Sequence, residues 1–350
     1  MTPFLAFVIA FFLSYFATPA ATWFAKRFGF TDRPHPRRQP PLKPRLGGVA
    51  IYLAFVVAVA VVYPMMPDRT QVETLKMAGI AAGGLLVVLV GAVDDKFELP
   101  PIAQFTAQVA AAVIAAAAGV VIDQVTNPFA GTVEDSLVHF PGWFAMVFTV
   151  FWIVGAMNTI NFLDGVDGLA AGVVAVAALV LATHSFLLGQ LTIMVLPLAV
   201  AGACLGFLPF NFYPSKATLG SCGSLFLGFA VAAMSVAGGT KAATLLLVLG
   251  LPVVDTGWTI ARRVLSGQSP FAGDRSHLHH RLLSLGLRET QIVLGMYAAS
   301  LVLGLLSLAL STRMAKLYAI GLMTLATLVL VATLAYLTQR RRLPSSRSRD

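Results

Sequence analysis

About eleven apolar runs, most of them long enough to cross a lipid bilayer, restrict this chain more than any other feature. They occupy residues 3–24, 47–66, 77–93, 103–122, 142–160, 168–187, 190–210, 224–238, 242–262, 293–311 and 317–337. A membrane-spanning helix needs about 20 apolar residues, and only 224–238 is clearly short of that. Backbone inside hydrocarbon must satisfy its own hydrogen bonds, so such runs fold as helices. The expected fold class is all-α: a polytopic membrane protein of about eleven transmembrane helices. Composition supports this, because 58% of the 350 residues are hydrophobic and 11% charged. Soluble domains have about 45–50% and about 25%. The first run lacks a basic n-region before it and exceeds the apolar stretch of a signal peptide, so it reads as a retained helix.

The net charge of +9 would suggest nucleic acid in a soluble protein. No soluble basic domain is visible here, so the charge reads as juxtamembrane Lys and Arg that set topology and meet anionic lipid. With the N-terminus outside, the inner segments are 25–46, 94–102, 161–167, 211–223, 262–292 and 338–350. Of the 24 Lys and Arg, only Arg69, Lys76, Lys241, Arg313 and Lys316 then fall outside. The positive-inside rule gives N-out, C-in, which requires an odd number of spans. Residues 1–337 read as one integral membrane domain and 338–350 as a basic, disordered cytoplasmic tail. No internal repeat is evident, which argues against an inverted-repeat transporter. Cys204 and Cys222 are too few for a disulfide framework or a zinc site.

This topology places four polar clusters on one side. Asp94 and Asp95 end an apolar run, where paired carboxylates meet lipid and the negative end of a helix dipole. They are either a solvated terminus or a cation site. Asn158, Asn161, Asp164 and Asp167 are spaced by three, so a helix stacks the first three on one face. Oxygen ligands so spaced suit a hard cation such as Mg²⁺; the alternative is a polar helix interface. Asn211, then Gly220, Gly223 and Ser224, belong to a Gly/Ser loop opening a helix. Its backbone N–H groups either cradle a phosphate or merely connect helices. His277, His279 and His280 lie beside Arg275 and Arg281, and read as an anion site rather than zinc, or else as a solvated basic loop. Asp255 reads as a charge partner or a site residue. His139 and His184 read as outer-side residues, the latter at a helix interface.

These residues resemble the polyprenyl-phosphate N-acetylhexosamine-1-phosphate transferases, the superfamily that includes the phospho-MurNAc-pentapeptide translocase. The resemblance runs from Asp32 to about Gly286. It rests on Asp32-Arg-Pro, Pro44-Arg-Leu-Gly-Gly48, Asp94-Asp95 with Gln108, Asn158-x-x-Asn161-x-x-Asp164-Gly-x-Asp167-Gly-Leu, Phe210-Asn211-Phe with Pro214, Gly220-x-x-Gly223-Ser224, and Asp274-Arg-x-His277-x-His279-His280. The His segment is closer to the branch using UDP-GlcNAc. The resemblance implies that a polyprenyl phosphate such as undecaprenyl phosphate attacks the β-phosphorus of a UDP-N-acetylhexosamine, with Mg²⁺, or Mn²⁺ in its place, as cofactor and UMP as leaving group. It implies catalytic roles for Asp94, Asp95, Asp164 and Asp167, with Asp164, Asp95 and Asp167 holding the metal. Asn158 and Asn161 then line the nucleotide side, and His277, His279, His280 and Arg281 hold pyrophosphate or sugar. It also implies a plasma-membrane (inner-membrane) location with the site facing the cytoplasm, a role in cell-wall, lipopolysaccharide, O-antigen or teichoic acid synthesis, and leaves a homodimer open.

Three positions depart from the family pattern. Ser221 stands where the family carries a metal-binding Asp. Pro40 replaces a His in Arg-Lys-x-His, and Gln104 replaces a Lys downstream of the paired Asp. Ser221 and Pro40 point to one alternative, a catalytically impaired paralogue acting in binding or assembly; a transporter of lipid-linked sugar is another. A transporter places ionisable groups along a path through the midplane, whereas these collect at one side.

Overall fold

The computed structural model describes residues 1–32, 43–127, 137–239, 241–268 and 277–342. In chain order these form α1 (Thr2–Phe28), α2 (Gly47–Val62), α3 (Gln71–Phe97), α4 (Pro101–Ala117), β1 (Gln124–Thr126), β2 (Leu137–His139), α5 (Gly142–Leu163), α6 (Leu169–Leu187), α7 (Leu191–Asn211), α8 (Gly220–Ala237), α9 (Ala242–Val248), α10 (Gly250–Leu265), α11 (Leu278–Ser284), α12 (Glu289–Ala309) and α13 (Arg313–Arg342). Among the described residues, nine helices are long and apolar enough to cross a membrane, or ten spans if α9 and α10 count as one. The protein is therefore an all-α, multi-pass membrane protein. Among the described residues the one sheet is the antiparallel ribbon of β1 and β2, with Val125 opposite Val138.

Four expectations from the sequence need correction. Run 242–262 is not one helix: α9 and α10 meet at a bend of 82°. Gly250 and Pro252 lie in the first turn of α10, where proline's missing N–H costs nothing but restarts the helix in a new direction. Run 103–122 is helical only to Ala117, and α4 has 17 residues. Positive φ at Gly119 ends it. The tail does not begin at 338, because α13 is helical to Arg342. Gly220, Gly223 and Ser224 are not a flexible loop but the first turns of α8.

Helix α8, containing the shortest apolar run, is the centre of the bundle. Of its best membrane-length window 94% is buried, enclosed by α2, α3, α5 and α6. By contrast only 22% of the α1 and α13 windows is buried. Phe12, Phe16 and Trp23 of α1 and Tyr318 and Leu322 of α13 are exposed, as lipid-facing residues are.

Contacts between termini bring several helix ends to one end of the bundle. Gly47 and Gly48 donate backbone bonds to the carbonyls of Thr218 and Leu219, and Thr218 donates to that of Pro44. The entries of α2 and α8 thus run side by side. The opposite end holds the start of α3, closed by a capping box in which Thr70 accepts from the Glu73 N–H and Glu73 accepts from the Thr70 N–H. There Lys241 donates to Gln190 at 2.6 Å and His184 bonds Thr244 at 3.0 Å, so His184 is a polar helix contact.

Gly220 is a tight point of the site end. Its φ is +74°, and a Cβ there would lie 2.1 Å from the Arg45 carbonyl oxygen and 2.5 Å from the Asp95 carboxylate. Gly220→Ala should therefore cost stability through both backbone strain and overlap, about 1–3 kcal/mol for the strain alone. A thermal melt in detergent unchanged from that of the wild type would contradict this packing.

Candidate active site

Asp94 and Asp95 lie in the last turn of α3 and are buried, but they face different partners. Asp94 Oδ1 accepts from the Leu99 N–H at 2.9 Å and from Gln104 Nε2 at 2.6 Å. Gln104, a departure from the family pattern, therefore supplies a neutral donor to the paired-Asp segment. Asp95 accepts from the N–H groups of Ser221 at 2.8 Å and Cys222 at 3.2 Å. The first amides of α8, expected to cradle a phosphate, instead hold this carboxylate, as helix N-termini favour anions. Arg45 lies 3.5 Å from both Asp95 and Asp32 and bridges them.

Helix α5 carries Asn158 and Asn161 and ends at Asp164, its C-cap residue. The amide of Asn158 donates to Gln108 Oε1 at 2.7 Å and to the Val154 carbonyl at 2.8 Å. Asn161 Oδ1 accepts from the buried Ser224 hydroxyl at 2.8 Å, which ties α5 to α8. Asp167 is clamped: Lys43 donates to both its oxygens, at 2.9 and 2.6 Å, and the Ser215 N–H adds a third bond at 3.0 Å.

Asp164 is different. Among the described residues no hydrogen bond reaches its carboxylate. Burial pushes its pKa well above the usual carboxylate range; Asp95, Asp167 and Asp32 add to this and Arg45 opposes it. By area Asp164 stays partly open to solvent, so its carboxyl group is accessible to a ligand.

The histidines come to this same place. Asp255 of α10 accepts from His277 Nδ1 at 2.9 Å and from the Leu278 N–H at 3.0 Å, so it caps and aims the start of α11. His277 stacks on Phe162 of α5 with centroids 5.1 Å apart, and His279 is parallel to His277 at 6.0 Å. A Cβ on Gly165 would stand 2.6 Å from His279 Nε2 and 3.4 Å from His280 Nε2. Both rings therefore close over the Asp164–Asp167 turn. Burial, with His280 and His277 adjacent, pushes His279 down to about 3, so the ring is neutral near pH 7. Among the described residues its buried Nε2 has no hydrogen-bond partner, and neither has the Ser215 hydroxyl. Buried polar atoms normally find partners; His279 Nε2, over the backbone of Gly165, has none among the described residues, and a bound polar ligand would satisfy it. Gly165→Ala should displace His279 and lower turnover by about tenfold. A fully active Gly165→Ala enzyme would show that this contact has no part in the chemistry.

Several expected site residues are not available. Asn211 is spent on backbone: Oδ1 accepts from the Gly168 N–H at 3.1 Å and Nδ2 donates to the Ala217 carbonyl at 3.0 Å. Arg281 is buried and donates to the Val331 carbonyl of α13 at 2.8 Å, so it anchors α11. Gly223 and Ser224 are buried in helix packing. Arg275, Asp274 and Pro40 lie outside the described residues. Sequence reasoning gave no site role to Lys43 or Arg45, which it counted as topology charges. Arg45 lies within the quoted Pro44–Gly48 motif and carried that much signal; Lys43 carried none.

No three His, Cys, Asp or Glu side chains converge as a metal-ligand group among the described residues. The expected set of Asp164, Asp95 and Asp167 is not assembled, because backbone amides hold Asp95 and Lys43 holds Asp167. Mg²⁺ is usually bound through one or two carboxylates, substrate phosphates and water. Asp164, near the carboxylates of Asp95 and Asp167 and without a donor among the described residues, fits that demand.

The sequence profile described as "Glycosyl transferase family 4" matches residues 77–239. The chain is 34% identical over 314 residues to the probable undecaprenyl-phosphate N-acetylglucosaminyl 1-phosphate transferase of Bacillus subtilis (strain 168), covering 88% of this chain and 84% of that one. It is 32% identical over 315 residues to the decaprenyl-phosphate N-acetylglucosaminephosphotransferase of Mycolicibacterium smegmatis, covering 81% and 76%. It is also 32% identical over 297 residues to the phospho-N-acetylmuramoyl-pentapeptide-transferase of Desulforudis audaxviator, covering 80% and 87%. With relatives matched over most of both chains, and a site built from the segments they share, this protein belongs to glycosyl transferase family 4.

Proposed function

We propose that this protein transfers N-acetylhexosamine-1-phosphate, GlcNAc-1-phosphate first among the candidates, from a UDP-sugar to a polyprenyl phosphate. The names of its relatives support the donor and acceptor classes. The carrying observation is that Asp164, whose carboxyl group has no hydrogen bond among the described residues, opens the turn whose Gly165 backbone lies under His279 Nε2, itself without a partner among the described residues, at the bundle end that also presents Arg45 and Lys43. That combination of accessible carboxyl group, neutral imidazole and flanking cations suits a pyrophosphate with a counter-ion.

The reaction balances simply. An oxygen of the lipid phosphate bonds to the β-phosphorus of the donor, the bridging P–O bond breaks, and its electron pair leaves on UMP. The attacking phosphate is already an anion at neutral pH, so binding and charge placement are the main tasks of the protein. Asp164, with donor phosphates and water completing the set, would hold Mg²⁺, which neutralises pyrophosphate charge. Asp255 orients His277 toward the same turn, and His279 Nε2 gains the partner it lacks. Asp95, Asp167 and Asn161, held by α8, Lys43 and Ser224 respectively, keep the three segments in register. Ser221 supplies a backbone N–H to Asp95, and on this reading the carboxylate for the cation comes from Asp164 rather than from residue 221.

The positive-inside pattern supports N-out, C-in and a site facing the cytoplasm of a plasma membrane, where UDP-sugars are made. The bent α9–α10 pair and the short α4, each taken as a crossing, complete the eleven spans that this orientation needs. A first membrane step in cell-envelope polysaccharide synthesis fits such a product.

Donor labelled separately in uridine and in the β-phosphate tests the reaction. The β-phosphate label should enter the lipid extract while uridine stays in water. Sugar transfer without the β-phosphate would overturn the proposal.

The raised pKa of Asp164 adds a pH prediction. A cation must displace the proton from this carboxyl, so Mg²⁺ binding should weaken as pH falls. Because the folded-state pKa is raised, charging Asp164 costs the folded state as pH rises, and Mg²⁺ should offset that cost. The Mg²⁺-dependent rise in Tm over EDTA should thus be larger at pH 8 than at pH 6, and lost in Asp164→Asn. An equal rise at both pH values in wild type and variant would place the cation elsewhere.

A further inference from the structure

Tyr297 of α12 reaches the turn that carries Asp164 and Asp167. Its hydroxyl donates to the Gly168 carbonyl at 2.5 Å, across 129 residues of sequence. Tyrosines near the ends of membrane helices usually serve the interface with the lipid headgroups. This one lies about two turns into α12, and its hydroxyl is bonded to protein backbone instead. The sequence makes room for it. Gly172 lies inside α6, where glycine is a poor helix former. A Cβ there would stand 1.9 Å from both the hydroxyl oxygen and Cζ of Tyr297, so any larger residue would close the seat of the phenol.

Gly168, which follows Asp167, is the N-cap of α6 and has a φ of +81°. Its N–H donates to Asn211 Oδ1 at 3.1 Å, and its carbonyl accepts from the Gly172 N–H at 3.1 Å as well as from Tyr297. The residue that closes the Asp164–Asp167 turn is therefore pinned from α7 and from α12. The other end of the turn meets the histidines, where a Cβ on Gly165 would stand 2.6 Å from His279 Nε2. His279 belongs to α11, and residues 285–288 join α11 directly to α12. One continuous segment thus lands on the turn twice, with His279 at Gly165 and Tyr297 at Gly168. Held at one point, the turn would pivot against that segment; the second point fixes their mutual orientation.

We propose that Tyr297 is a positioning residue for the transfer: its hydroxyl locks the Asp164–Gly168 turn to the α11–α12 segment, so that Asp164 and the histidines meet the donor pyrophosphate in a fixed relation. The proposal rests on the transferase reading. Tyr297 touches no expected substrate position, and its effect passes through the Gly168 carbonyl. A residue that acts this way changes the rate of the chemical step and leaves the binding of either substrate alone. Packing, by contrast, is the work of the ring, which Tyr297→Phe retains.

Two experiments on the full-length, detergent-purified protein test this. With undecaprenyl phosphate and UDP-GlcNAc, Tyr297→Phe should lower kcat about tenfold while KM for each substrate stays within about twofold of wild type. Incorporating 4-aminophenylalanine at position 297 returns an N–H donor to the Gly168 carbonyl and should restore most of the loss. A kcat within about twofold of wild type in Tyr297→Phe, or a loss that the amino group leaves unrepaired, would overturn the proposal. Hydrogen–deuterium exchange reads the clamp without turnover. In Tyr297→Phe the amides of 165–172 and 277–284 should exchange faster, and those of 225–237 in α8 as in wild type. Unchanged exchange in 165–172 would also overturn the proposal. Faster exchange there in a protein that transfers nothing would fail the transferase reading alone. Transfer by Tyr297→Phe with kcat and exchange both as in wild type would fail the clamp alone.

Discussion

Asp164→Asn should lower UMP release by about 10³-fold while leaving the protein folded and, without divalent cation, at least as stable as wild type. The two effects have one cause. Asp164 is held near Asp95 and Asp167 with no donor among the described residues, and burial together with these carboxylates raises its pKa. Neutralising it relieves the folded state but removes the charge that a pyrophosphate-bound cation needs. A merely structural carboxylate would behave oppositely, losing stability and activity together. Thermal melts in EDTA alongside single-turnover rates separate the cases. Near-normal turnover in the variant would remove Asp164 from the mechanism. By contrast, Asp95 is engaged by two N–H groups and Arg45, so Asp95→Asn should destabilise the junction of α3 and α8 as well as slow the reaction.

Replacing Asp255 should have the second-largest effect, although it touches no expected substrate position. Its carboxylate holds both His277 Nδ1 and the Leu278 N–H. In Asp255→Ala both buried donors lose their acceptor, at about 1–3 kcal/mol each. Asp255→Asn is more informative. The amide oxygen can keep the Leu278 N–H, but the amide NH₂ then faces His277 Nδ1 and forces the proton onto Nε2. Similar exchanges of a carboxylate behind a histidine disable it through the wrong tautomer with little change in geometry. Asp255→Asn should therefore fold, keep a near-wild-type Tm, and lose about 10²-fold or more in kcat. Wild-type kcat in that variant would reduce the His277–Asp255 pair to a structural clamp.

How much of this was legible in the sequence depends on the range of the forces involved. Apolar length and Lys/Arg placement are summed along the chain, so the helical membrane architecture and the collection of polar motifs at one end could be read directly. The position of a helix within the bundle could not. Run 224–238 looked weakest because it was short, yet α8 is the most enclosed helix, since its Gly/Ser start belongs to the helix and small residues let α2 and α3 approach. Side-chain partners were equally hidden. Asn211 and Arg281 carry the right chemistry for substrate but are consumed by carbonyls and amides from α6, α13 and the loop after α7. Lys43 resembled any juxtamembrane cation, and only the folded chain brings it to Asp167, 124 residues away. Asp255 was recognisable as an acid in an apolar run, but its partners His277 and the Leu278 N–H come from the start of α11, 22 and 23 residues away.

The central claim is tested most directly by UMP release from purified wild-type protein given polyprenyl phosphate, UDP-GlcNAc and Mg²⁺. The account predicts release that requires the lipid phosphate, stops with EDTA and resumes with added Mg²⁺, despite Ser221 at the position where the family carries Asp. Folded protein that releases no UMP from any of several UDP-N-acetylhexosamines under these conditions would contradict it.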